Sequence, residues 1–418
     1  MSAEIFFDLL FYTVSNTEQG SLSNMISYLK AEYGIQMKKQ SLDERFTEES
    51  VSFVKAILSE IVNERFSDMY SKDLLPEFTR IRIKDSTKFF VPSNLSQNYK
   101  SCGKGSTNAS ISIQYEYDLK SGSIIDLNIT SGNRNDKTDA SETCQHMQTD
   151  DLIIRDLGYY SLLVFEEWHK NNVFFLSRLD SGTLVYDSQG KKISFKDIHR
   201  DMQESGIREQ EMQVFAGEKA RLPVRLIIQT VPDEVYEKRI REKTKKSKEQ
   251  GRGQITDETK IRCRFSLFIT NAESSRLPAK CIYSLYRVRW QIELQYKAWK
   301  SVFKIDKQQK MKEARYLTTL YVKLLQIILN LQITYSLQKS IEQAEAKKVR
   351  ILSINKTLKT LKTLYDKIHV MFRGTYQKAK KMALYIQERL LEDHWLERKK
   401  KKTGLSEIFE LLFCLTDK

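Results

Sequence analysis

Phe78-Thr79-Arg80-Ile81-Arg82-Ile83-Lys84-Asp85 alternates apolar and polar residues with a period of two and closes on an acid. Successive side chains of an extended chain point to opposite faces, so this stretch reads as a β-strand ending in Asp85. Two more alternating runs follow, Ala109–Leu119 and Ser123–Thr130, joined by the turn Lys120-Ser121-Gly122. Together the three predict an antiparallel meander. A polar helical stretch near Thr138–Met147 comes next. Leu152-Ile153-Ile154-Arg155-Asp156 is then a short buried strand that also ends on an acid, and Gly158 breaks it. Tyr159–Lys170 reads as helix and Val173–Arg178 as a fifth strand. The predicted order is β-β-β-α-β-α-β, an α/β (α+β) core.

On either side of this core the periodicity changes. Residues 1–75 carry apolar positions at helical spacing, as in Ser23–Tyr33 and Glu49–Phe66, and Ser41 with Glu44 three residues on reads as a helix start. Residues 181–264 hold short β runs (Thr183–Tyr186, Met212–Phe215, Val224–Gln229) and a charged helical stretch with eight basic residues between Lys238 and Arg252. That segment reads as a β-rich insertion, after which Phe265–Thr270 returns to the core as a strand. From Ser275 onward the pattern is almost wholly helical, closing with the basic run Arg398–Lys402 and the amphipathic stretch Leu405–Leu415. The expected segments are 1–75 (helical), 76–180 (core, first part), 181–264 (insertion), 265–340 (core, second part) and 341–418 (helical and basic).

Composition narrows the partners. The chain has 418 residues, enough for a well-buried core, and only 5 prolines and 15 glycines, which favours long helices over a many-turned β fold. Its 69 Lys+Arg against 54 Asp+Glu give a net charge of 69 − 54 = +15, which suits a polyanion, since bound cations release counterions from phosphate backbones. A membrane partner is not expected. The longest apolar run, Leu324–Gln338, contains Gln326, Asn330 and Gln332 and reads as a buried helix, while Glu4 and Asp8 interrupt the N-terminal apolar stretch. Five cysteines (Cys102, Cys144, Cys263, Cys281, Cys414) are scattered without CxxC spacing, which predicts a reducing, cytoplasmic setting and no zinc site. Any metal would then be held by carboxylates.

Asp85 and Asp156 sit where strands end, although an aspartate after a strand is ordinarily a turn residue. The most informative run is Tyr286-Arg287-Val288-Arg289-Trp290-Gln291-Ile292-Glu293-Leu294-Gln295-Tyr296-Lys297-Ala298-Trp299-Lys300. On one continuous helix turning ~100° per residue, Tyr286, Arg289, Glu293 and Lys300 fall within roughly a 60° arc. A solvated face with i,i+4 ion pairs would give a similar pattern. An acid surrounded by cations, however, suits a site that holds metal and phosphate together. Three carboxylates can hold two hard divalent ions such as Mg²⁺, with Mn²⁺ able to substitute. Arg289 and Lys300 could grip phosphates beside them, Arg289 by paired hydrogen bonds and Lys300 as a point charge. Trp290 and Trp299 read as core. Lys297 and Lys304 read either as an extension of the phosphate track or as ordinary surface lysines, and the Lys238–Arg252 cluster either lies on DNA or is a solvated face.

The spacing Tyr286-x2-Arg289-x3-Glu293-x6-Lys300 resembles the Y-(2)-R-(3)-E-(6)-K signature of bacterial insertion-sequence transposases of the IS-four type. Asp85, in Lys84-Asp85-Ser86-Thr87, looks like that family's first catalytic aspartate, Asp156 like the second, and Glu293 like the catalytic glutamate. Their separations are 156 − 85 = 71 and 293 − 156 = 137 residues, and the family also places a β-rich insertion in the second gap. Over about residues 78–310 the resemblance implies a ribonuclease H-like core, two Mg²⁺ ions and cut-and-paste movement of an element bounded by inverted repeats. It implies that Tyr286, Arg289 and Lys300 contact the terminal phosphates of the cleaved strand. It also implies double-stranded element ends and target DNA as substrates, a homodimer in the synaptic complex and a place at the bacterial nucleoid. By analogy residues 1–75 would bind element ends. Some relatives stack a flipped base on a tryptophan of the insertion, and Phe265 stands at the comparable position here. Two other readings fit the same residues: a catalytically silent binder of element ends, and a nuclease of the same fold.

Overall fold

The computed structural model describes all residues except 16–20, 64–73, 103–107, 144–145, 252, 345–350, 366, 369–373, 397–407 and 409–418. The basic run Arg398–Lys402, Arg252 and nearly all of Leu405–Leu415 therefore lie outside the described residues. The chain forms two compact units. The first takes Met1–Leu74, Asp85–Arg134 and the described part of Trp290–Phe413, and the second takes Leu75–Lys84 and Asn135–Arg289.

The second unit is built on a mixed sheet. Strand β1 (Arg80–Val91) gives it Arg80–Lys84, which pairs in parallel with β4 (Asp151–Arg155) from Arg80↔Asp151 to Lys84↔Arg155. β4 pairs in parallel with β5 (Phe174–Arg178), and β5 pairs antiparallel with β9 (Phe265–Thr270). Beyond β9 the order continues through β8 (Leu222–Thr230), β7 (Glu209–Ala216) and β6 (Val185–Tyr186). The insertion strands thus extend the core sheet rather than forming a separate layer. One apolar cluster joins them: Ile153, Phe165, Trp168 and Phe175 pack with Phe195, Ile198, Val214, Val224 and Ile228. All five residues of β4 are buried, the mark of a parallel strand covered on both faces. The helices of this unit are α5 (Asp136–Glu142), α6 (Leu162–Lys170), α7 (Phe195–Ser205), α8 (Asp233–Glu249), α9 (Asp257–Cys263) and α10 (Ala279–Val288). α8, the predicted charged helix, buries none of its residues and is tied down at Arg239, which donates to the Phe265 carbonyl at 2.6 Å.

In the first unit, helices α1 (Ala3–Ser15), α2 (Leu22–Tyr33), α3 (Lys39–Asp43) and α4 (Glu48–Asn63) bury Leu9, Leu10, Met25, Leu29, Phe46 and Val54 together with Val322 of α12 (Glu313–Ala344). α12 is long and apolar enough to cross a membrane by length and composition, yet Leu320, Leu324, Leu325, Ile327, Ile328 and Leu331 are buried within the unit, as the sequence suggested for this run. α11 (Trp290–Ser301), α13 (Ile354–Thr363) and α14 (Tyr376–Asp393) complete its helices, and a second cluster unites Leu337, Leu361, Ile386 and Leu390. Ser41 does not start a helix, contrary to expectation: it lies inside α3, and Glu44 follows as the C-terminal cap. The serine cap is Ser21, whose Oγ accepts from the Asn24 N–H at 3.3 Å.

β2 (Ala109–Asp118) and β3 (Ile124–Ser131) form the predicted antiparallel pair. The alternation in β2 does not mark a solvated face, because all ten of its residues are buried, Ser112, Gln114 and Glu116 included. Asp118 accepts from the Lys120 and Ser121 N–H groups and closes the turn. Gly122 has φ +74°, and a Cβ there would lie 2.7 Å from Tyr335 Cδ2, so both backbone and packing require glycine.

Asp85 is not the end of its strand. β1 continues to Val91, and beyond Lys84 the alternation resumes with Thr87, Phe89 and Val91 buried and Lys88 and Phe90 exposed. Its pairing with β4 stops at Lys84, and β2 is its other neighbour.

Candidate active site

Asp85 lies in the first unit, one residue past the last register pair between β1 and β4. Its carboxylate accepts from the Ser86 N–H at 2.8 Å, and its carbonyl accepts from the Tyr296 hydroxyl at 2.6 Å. Tyr296 belongs to α11, three residues after Glu293, so this bond ties the strand carrying one acid to the helix carrying another. Nothing in the sequence singled Tyr296 out, because a buried aromatic at helical spacing reads as packing. It does pack as well: Tyr115 of β2, Tyr296 and Trp299 stack edge-to-face, with Tyr115 and Trp299 centroids 5.0 Å apart. Replacing Tyr296 with phenylalanine keeps the ring and removes only the hydroxyl. The expected cost is ~1 kcal/mol of stability and a 10- to 100-fold loss of strand cleavage, of the order that small misplacements produce. Thermal unfolding and kcat measured on the same preparation check this; an unchanged kcat would make Tyr296 a packing residue only.

The run Tyr286–Lys300 is not one helix. α10 ends at Val288 and α11 begins at Trp290, with Arg289 as the junction, its N–H bonded to the Tyr286 carbonyl at 3.2 Å. That i→i−3 bond is a tightened last turn. Tyr286 and Arg289 belong to the second unit and Glu293 and Lys300 to the first. Tyr286 is buried rather than on a solvated stripe; its hydroxyl donates to the Arg155 carbonyl at 3.5 Å, and burial pushes it up to about 12, opposed by Arg289. The Arg289 guanidinium lies 3.6 Å from Asp156, whose side chain is 47% exposed. Asp156 is the residue immediately after β4, as the sequence predicted.

Within α11 the polar row is re-set. Ile292, Gln295, Tyr296 and Trp299 are buried. At ~100° per residue, Trp290, Glu293, Lys297 and Lys300 share an arc of roughly 80° on the opposite side. Trp290 is therefore not core, as was expected; it is 49% exposed, and the Lys297 ammonium lies 4.9 Å from its ring centroid. Trp299 is core, as expected. Burial lowers the Lys300 pKa, Asp306 opposes the shift, and its ammonium donates to the Lys88 carbonyl of β1 at 3.2 Å. Phe265, the counterpart of the base-stacking tryptophan, is buried in the second unit's core and offers no open face. Among the described residues, no three Asp, Glu, His or Cys side chains are gathered closely enough to hold a metal ion. The case for ligands therefore rests on where each acid is placed and on donor chemistry: three hard carboxylates, with cations close by on the same elements.

Residues 76–331 match the family described as "Transposase DDE domain". The transposase for insertion sequence element IS231F of Bacillus thuringiensis subsp. israelensis is 31% identical over 345 residues, which is 78% of this chain and 72% of that protein. The transposase for IS231E of Bacillus thuringiensis subsp. finitimus is 30% identical over 378 residues, covering 85% and 77%. The transposase for IS1151 of Clostridium perfringens is 28% identical over 348 residues, covering 78% and 73%.

Proposed function

The chain belongs to the DDE transposase family of bacterial insertion sequences, and from that premise we propose that Asp85, Asp156 and Glu293 are its catalytic metal ligands. Membership makes it a DNA transposase with a ribonuclease H-like fold, acting on DNA and dependent on divalent metal. The observation that carries the ligand assignment is positional. Asp85 and Asp156 are each the residue after the register pair Lys84↔Arg155, and Glu293 stands one helical turn before the tyrosine that holds the Asp85 carbonyl. Carboxylate oxygens suit two Mg²⁺ ions, or Mn²⁺ in their place. Such ions supply an activated water or 3′-hydroxyl and a countercharge for the leaving oxygen.

The remaining roles belong to the chain's own side chains. Arg289, beside Asp156, presents a planar fork to a phosphate, and Tyr286 braces it from the buried side. Lys297 and Lys300 carry the charge row along α11 toward further phosphates. Trp290, exposed at the head of that row, offers a face on which an unpaired base can stack. The substrates in this reading are duplex ends with terminal inverted repeats and a target DNA, engaged by a homodimer at the bacterial nucleoid. The test is cleavage and joining of duplex DNA copied from the boundaries of the chain's own gene. Metal-dependent nicking followed by joining supports the reading. Hydrolysis without joining would assign a nuclease, and tight end binding without any cut would assign a silent regulator.

A further inference from the structure

A cavity of about 180 Å³ in the first unit lies among the end of α1, the start of α2, the loop that follows α11, and α12. Its described lining includes Lys304, Lys307 and Lys323. Lys323 is 6% exposed, and its ammonium donates to the Lys304 carbonyl at 2.9 Å. Lys304 itself sits at φ +49°, a left-handed conformation that a lysine keeps only when its surroundings impose it. Gln308, also on the lining, has both side-chain amide atoms buried with no hydrogen-bond partner. Ser21, the cap of the 12-residue α2, brings the positive end of that helix to the same wall.

We propose that this cavity is a phosphate-binding pocket, in which the three lysines supply charge while Gln308 and the start of α2 supply hydrogen-bond donors. Lys362 and Lys304 act on the buried Lys323 as like charges, and a tetrahedral oxyanion with several acceptors offsets that repulsion and satisfies the Gln308 amide nitrogen. Burial, with Lys362 on α13 and Lys304 on the loop, pulls Lys323 down to about 8 against the opposing pull of Asp306. That is the response of a cation short of counter-charge. The phosphate comes either from solution or from a DNA strand. The pocket contains none of the three acids assigned to catalysis and stands or falls separately from them.

Thermal unfolding of the full chain in inorganic phosphate, against chloride at matched ionic strength, tests the pocket. Phosphate is expected to raise the wild-type midpoint by about 2 °C or more. Lys323→Met, which fills the volume without a charge, is expected to abolish that rise, Gln308→Leu to reduce it, and Glu293→Gln to retain it. A rise of equal size in Lys323→Met and Gln308→Leu, or none in the wild type, overturns the proposal. In chloride, the folded chain binds fewer protons at Lys323 than the unfolded chain between pH of about 8 and the ordinary lysine value of 10.5. The penalty from this group is thus full below that window and fades as pH rises through it. The wild-type midpoint should climb relative to Lys323→Met from pH 8 to 10, and phosphate should flatten the climb. Salt titration of end-DNA binding separates the sources. A slope smaller by ~0.9 in Lys323→Met than in wild type assigns a DNA phosphate, and an equal slope, with the rise present in wild type and absent in Lys323→Met, assigns free phosphate.

Discussion

Replacing Glu293 with glutamine is expected to lower metal-dependent cleavage at the element ends by ~10³-fold or more, equivalent to ~4 kcal/mol of lost transition-state stabilisation. The substitution keeps the shape of the side chain and removes the negative charge that a divalent ion needs. Glu293 is half-buried on the open side of α11, opposite Ile292, Tyr296 and Trp299, so the core beneath it is untouched. The unfolding midpoint should accordingly stay within a few degrees of wild type, and affinity for end DNA measured without metal should stay within about two-fold, since one neutralised carboxylate removes no phosphate contact. Single-turnover cleavage in Mg²⁺, read beside binding and unfolding of the same sample, separates these effects. A variant that cuts at the wild-type rate would remove Glu293 from the catalytic set. One that loses binding and cleavage together would make it a structural residue.

The strand order was legible because each core strand has a clear local signal: period-two alternation in β2 and β3, and short apolar runs in β4, β5 and β9. Asp156 was legible for the same reason, as an acid directly after a buried run. Asp85 was placed correctly in sequence but not in the strand. The end of pairing along one edge leaves no mark on periodicity, and the strand itself runs on from Lys84 to Val91. The signature run was legible as a spacing and misleading as a geometry. Its fifteen-residue span reads as one helix because every residue from Tyr286 to Lys300 tolerates helix, whereas the interruption at Arg289 is one of hydrogen bonding. Tyr286 is buried and Trp290 exposed, and no local propensity predicts either. Tyr296 and the pocket around Lys323 were hidden for a further reason. Both depend on residues distant in sequence, Asp85 in one case and Thr13, Ser21 and Gln308 in the other, and one chain read alone carries no signal for such pairs.

Asp151 is the position where a single change should cost the most stability. Its carboxylate is fully buried and accepts from Arg80 at 2.7 and 2.6 Å, from Arg82 at 3.0 Å and from the Gln148 N–H at 2.9 Å. Arg80 is also its register partner across β1 and β4, so one carboxylate locks the parallel pairing that precedes both aspartates proposed as metal ligands. Arg82 is 1% exposed. Asp151→Ala takes a buried carboxylate away from that guanidinium and from Arg80, a loss that typically costs about 3–5 kcal/mol. Asp151→Asn keeps the shape and part of the hydrogen bonding but not the charge, and is expected to cost less than the alanine change. The loss should appear as a lower urea midpoint with an unchanged m-value, since the surface exposed on unfolding is the same. Double replacement of Asp151 and Arg82 by apolar residues should recover part of the alanine loss, because the desolvated charge leaves with its partner. Below the lowered midpoint, the folded fraction of Asp151→Ala should retain far more cleavage activity per folded molecule than Glu293→Gln. If Asp151→Ala instead loses activity as completely while keeping wild-type stability, the network serves the chemistry directly, and the division between a fold-holding acid and a metal-holding acid is wrong.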